Sequence, residues 1–95
     1  MIKEKLNGIK WNKKGVYGIL WTSTESFPDE PLDTTYSTIV DYTKLESKIY
    51  NILDKDNSVK ELKVIELPTY FKKYSMINRN DLSVDDIKNL YTIID

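Results

Sequence analysis

The apolar residues change period twice between Thr35 and Leu67, and this switch constrains the fold more than any other feature of the chain. In TYSTIVDY (35–42), Tyr36, Thr38, Val40 and Tyr42 alternate with Ser37, Ile39 and Asp41. A period of two puts the sets on opposite faces of a strand. In TKLESKIYNILDKD, Leu45, Ile49, Ile52 and Leu53 fall at i, i+4, i+7 and i+8, the single apolar stripe of a helix. Thr43 with Glu46 reads as a capping box, so the helix is expected over 43–55, ending near DKDNS. VKELKVIEL (59–67) carries apolar residues on both faces, as a central strand does, and Pro68 stops it. Strand, helix and strand in succession predict a right-handed crossover between parallel strands.

Upstream, GIKWNKKGVYGILWT reads as a β-hairpin. Ile9 and Trp11 alternate with Lys10 and Asn12, and Val16 to Trp21 is a β-prone run. NKKG between them suits a type I turn with Gly15 in the left-handed position, and Gly18 suggests a bulge or a close backbone approach. Ile2, Leu6 and Ile9 have helical spacing, although these residues could also extend the first strand. Ser23 to Thr35, with Pro28 and Pro31, reads as a long loop. Downstream, Tyr70, Phe71, Tyr74 and Ile77 predict a short helix. Ser83 is placed to cap a last helix, with Asp85 and Asp86 in its first turn and Val84, Ile87, Leu90, Tyr91 and Ile94 as its buried stripe.

The expected fold is therefore a small α+β domain over residues 1–95. A mixed sheet of about four strands, made of an N-terminal β-hairpin plus a β-α-β unit, is covered by two to three helices. The 95 residues suit one domain. No apolar run approaches a membrane span, and the first residues carry charge without an apolar leader, so the expectation is a cytoplasmic protein.

Several chemistries lack their usual residues. There is no histidine and no cysteine, so the common general base, zinc ligand and thiolate nucleophile are missing. Asp54, Asp56 and Ser58 match the first ligand spacings of a calcium loop. The match then fails, with Val59 where glycine is needed and Ile65 where the closing acid belongs, leaving a polar helix end with Asx-type turns. Gly8, Gly15 and Gly18 match neither phosphate-binding fingerprint. Asp85 and Asp86 point about 100° apart on a helix and do not face one substrate together. The expectation is a protein without catalytic activity, metal or cofactor. Alanine and glutamine are also absent, while lysine, asparagine, isoleucine and tyrosine abound. That composition points to an AT-rich genome, such as a low-GC bacterium or its phage.

Net charge is −1, but the charges are unevenly placed. Lys3, Lys5, Lys10, Lys13 and Lys14 crowd the first residues, whereas nothing from Gly15 to Tyr42 is basic. Within that span lie Glu25, Asp29, Glu30, Asp33 and Asp41, with the apolar Phe27 and Leu32 among them. Acidic charge with an apolar anchor on a proline-stiffened segment is the chemistry of a surface that docks on a basic protein. These seven residues are the candidate partner-binding site of a small inhibitor. Two settings fit: an immunity protein blocking a basic toxin, or a phage-encoded inhibitor of a host defence nuclease. In size and acidity alone the chain resembles anti-CRISPR proteins. The alternative is a nucleic-acid-binding accessory protein, with Trp11, Tyr17 and Trp21 stacking bases beside Lys10, Lys13 and Lys14. A small-molecule pocket is a third possibility.

Overall fold

The computed structural model describes residues 2–26, 31–67 and 89–95, with Glu25, Ser26 and Pro31 described in backbone only. The elements run α1 (Ile2–Asn7), β1 (Val16–Ser26), β2 (Pro31–Asp41), α2 (Tyr42–Lys55), β3 (Val59–Leu67) and β4 (Asn89–Ile94). The strands form one sheet in the order β2-β1-β3-β4. The α+β class and the four strands agree with the sequence. The sheet is antiparallel at every neighbouring pair, however, rather than mixed. Because β2 and β3 both run antiparallel to β1, they point the same way, as a strand-helix-strand unit requires. β1 lies between them, so the unit is split and its two strands never bond.

The hairpin is real but displaced along the chain. Its strands are β1 and β2, not 9–12 and 16–21, and Val16↔Asp41 to Ser26↔Pro31 pair without a break. Most of the expected loop at 23–35 is therefore strand. Pro31 is tolerated because it opens an edge strand, where a missing N–H costs least. Gly15 closes a turn through its N–H to the Asn12 carbonyl (2.9 Å). Its φ is not positive; a Cβ there would stand 3.0 Å from that same carbonyl oxygen, so close approach is the reason for glycine. Gly18 lies in unbroken register, and the irregularity against β3 falls at Thr22/Ser23. α1 confirms the helical reading of Ile2 and Leu6. The 83–95 helix is corrected in its second half, where residues 89–94 are a strand paired with β3. The 70–77 helix, Ser83, Asp85 and Asp86 lie outside the described residues.

α2 buries Leu45, Ile49 and Ile52, with Leu53 half-buried, as its stripe predicts. These pack with Leu6, Tyr17, Ile19, Leu62, Val64 and Ile93 into the main core, so both helices cover one face of the sheet. Ile65 and Leu67 form a second cluster with Leu20 and Ile39 on the other face, which accounts for the apolar residues on both sides of β3. The capping box is not formed. Asp41 is the N-cap residue without a side-chain bond, and Thr43 is exposed inside the first turn.

Candidate functional site

Of the seven acidic-segment residues, the structure places Leu32 and Asp33 at one end of β2 and Asp41 at the other. β3 pairs with β1 only as far as Ser23↔Val59, and the Thr24 N–H reaches the Ser58 carbonyl just beyond. β1 and β2 continue past that point as a two-stranded arm. It carries Glu25 opposite Leu32, and Asp33 opposite Thr24. Leu32 is 54% exposed. Phe27, Asp29 and Glu30 fall between the two strands in sequence and lie outside the described residues. Asp41 is at the far end of β2, about 26 Å from Asp33 at the usual rise per strand residue, and belongs to the start of α2. Asp33 is not a free charge either: it forms an ion pair with Lys60 and accepts the Thr24 hydroxyl (2.9 Å). The Lys60 ammonium, helped by that hydroxyl, holds its carboxyl below the usual value.

Of the aromatics beside the N-terminal lysines, Trp11 and Tyr17 are engaged in packing contacts. Trp11 lies in the connection after α1, where its Nε1–H donates to the Leu6 carbonyl (2.8 Å). Its ring meets Tyr17 and Tyr91 edge-on, at centroid separations of 5.3 and 4.9 Å. Tyr17 is fully buried. Its hydroxyl accepts the Asn12 N–H (2.7 Å), and burial, reinforced by the nearby Glu66 carboxylate, pushes its pKa up. Glu66, only 7% exposed, accepts from the side-chain amides of Asn12 (3.2 Å) and Asn89 (3.0 Å). This polar network ties the N-terminal connection to β3 and β4, so these aromatic and amide groups serve packing. A cleft of about 460 Å³ beside it, between Lys10, Trp11, Lys13, Tyr42 and Glu46, carries both charge signs.

A groove that the sequence reading missed runs along the seam between α2 and β2. Its two ends have volumes of about 290 and 380 Å³ and share Lys48 and Asn51. One end is lined by Trp21, Tyr36 and Lys55, the other by Thr38, Val40 and Lys44. Trp21 and Tyr36 face each other across β1 and β2 and stack with centroids 5.6 Å apart and planes 24° from parallel. The signal was present in part, since positions 44, 48, 51 and 55 lie within an arc of about 60° on a helix. Tyr36 could not be added to that stripe without the strand register.

Asp56 holds the Ser58 N–H (2.8 Å), the Asx turn expected of the calcium-like stretch. Among the described residues no three acids, histidines or cysteines cluster as a metal site would require, and no helix is long and apolar enough to cross a membrane. No known family, characterised protein or solved structure matches the chain.

Proposed function

We propose that the protein is a non-catalytic binding protein whose β1–β2 arm docks on a basic protein partner and inhibits it. The observation that carries this reading is the arm itself. Two strands run on beyond β3, and Leu32 is exposed on them. Glu25 stands on β1 and the acids at 29 and 30 fall between β1 and β2 in sequence, so the reading rests on these three, while Asp41 is left out of it and Asp33 contributes less because Lys60 offsets its charge. Acids on such an arm raise the association rate with a basic surface, and Leu32, with Phe27, supplies the contact that slows dissociation. The setting in this reading is the cytoplasm of a low-GC bacterium or a phage-infected cell, with a toxin or a defence nuclease as the target.

The test compares capture by the parent and by a Glu25→Gln, Asp29→Asn, Glu30→Gln variant from a low-GC bacterial lysate. A basic protein retained by the parent at low salt and lost by the variant, with equal melting temperatures, supports the reading. Equal capture by both proteins, or a variant that melts far below the parent, would make the arm structural and end it.

A further inference from the structure

We infer that the α2–β2 groove binds single-stranded nucleic acid, taking a base at the Trp21–Tyr36 stack and backbone phosphates along Lys44, Lys48 and Lys55. This is a second site, independent of the arm and on a different surface from the lysines of the N-terminal connection.

Charge is the first argument. The three lysines lie on one stripe of α2, and Lys44 and Lys55 are about 16 Å apart along the axis at 1.5 Å per residue. Among the described residues none of them forms an ion pair, whereas Lys60 and Lys63 both do. The one acid lining the groove, Asp56, accepts the Ser58 N–H and keeps its charge, which leaves three lysines against one carboxylate. A row of cations in excess beside a cleft suits a linear polyanion better than a point anion.

The stack is the second argument. Trp21 supports Tyr36 from one side, yet Tyr36 remains 38% exposed. A braced, partly exposed aromatic at the end of a cationic row is the arrangement on which unpaired bases stack. Asn51 lies between the lysines and adds an amide able to meet a base or a sugar. No arginine occurs among the described residues, so the bidentate fork that reads guanine edges in a duplex is missing from this surface. Stacking plus lysines gives recognition of an unpaired strand with little regard for sequence. Asp33 sits next to this end on β2, but its position alternates with that of Tyr36, which turns it to the other face of the sheet.

The experiment is fluorescence anisotropy of the full chain with a short labelled oligothymidylate over a salt series. The parent should bind with a log–log salt slope of about −2, since three lysines each contribute about −0.7. Lys44→Gln with Lys48→Gln and Lys55→Gln should bring the slope close to zero. Tyr36→Ala should weaken binding roughly 5- to 100-fold and keep the slope. Lys10→Gln with Lys13→Gln and Lys14→Gln should change neither. Lys44 and Lys55 are exposed and Lys48 is half-buried, all outside the buried stripe of α2, so that variant stays informative should Tyr36→Ala fail to fold. The inference is overturned if the parent does not bind at low salt, or if the 10/13/14 variant alone loses binding. It is also overturned if a duplex binds as tightly as the single strand, or if a glutamate-rich peptide displaces the strand at equal charge.

Discussion

The β1–β2 hairpin has two unlike halves. In its root, Val16 to Ser23 are bonded by β2 on one side and β3 on the other, and Tyr17 and Ile19 are fully buried beneath α2. In its arm, beyond Ser23, β3 no longer pairs with β1, and the hairpin is tied to β3 and the residue before it through the Thr24–Ser58 backbone bond and the Asp33–Lys60 ion pair, with Leu32 exposed. The backbone runs through both halves in one register, so the difference lies in what the side chains meet. Burial makes the root part of the core, whereas the exposed Leu32 and Asp33 of the arm lie outside both core clusters.

The contrast is tested most severely at Ile19. Ile19→Ala opens a cavity against Ile49 and Val64 in the main core and should cost about 2–5 kcal/mol in urea unfolding. A cost below that of an arm substitution would erase the distinction. Next comes Tyr17→Phe, which removes a buried hydroxyl and its bond to the Asn12 N–H, for about 0.5–1.5 kcal/mol. The same hydroxyl sharpens the comparison at high pH. Its folded pKa lies above the 10.0 of a free tyrosine, so its share of stability is intact below pH 10.0 and is lost as pH rises towards the folded value. Alkaline tyrosinate titration should show one late group that Tyr17→Phe abolishes. The smallest effect is expected in the arm. Asp33 should titrate below 3.8 by NMR, and Lys60→Gln should return it towards that value with the melting temperature unchanged. Because this pKa is depressed on folding, the associated stability is present above about pH 3.8 and is lost as pH falls through the folded value. A midpoint at or above 3.8 in the parent would mean that the pair does not persist in solution.

How far the sequence could be read follows the same division. The α2 stripe and the double-faced β3 were legible because each buries several residues at a strict period. Ile9 and Trp11 were misleading. Their alternation imitates a strand, yet Trp11 is held by a bond to Leu6 and by the edges of two tyrosines, contacts that leave no period in the sequence. Residues 89–94 also misled. Leu90, Tyr91 and Ile94 fit a helix, but the β-branched run Thr92–Ile93–Ile94 favours the edge strand that forms, and a six-residue segment gives periodicity too little room to decide. Pro28 and Pro31 marked 23–35 as a loop, yet Pro31 opens β2, since proline marks both loops and strand starts. Of the candidate sites, the acidic residues were visible as composition, and half of the α2–β2 groove was visible as a lysine stripe. The pairing of Trp21 with Tyr36 was not, because it depends on a register set by the whole hairpin.

The position of β1 between β2 and β3 also orders the assembly of the molecule. β1 meets β2 across a short stretch of chain, so that contact closes at the lowest entropic cost. It meets β3 only after the chain has returned through α2, and among the described residues β4 pairs with β3 alone. The hairpin alone would leave Tyr17 and Ile19 facing water, so the committing step is the arrival of α2 and β3 together. Substitutions at Leu62 or Ile49 should then slow refolding, while Ile93→Val should act chiefly on the unfolding limb of the chevron. The opposite pattern would place the nucleus at the β3–β4 edge.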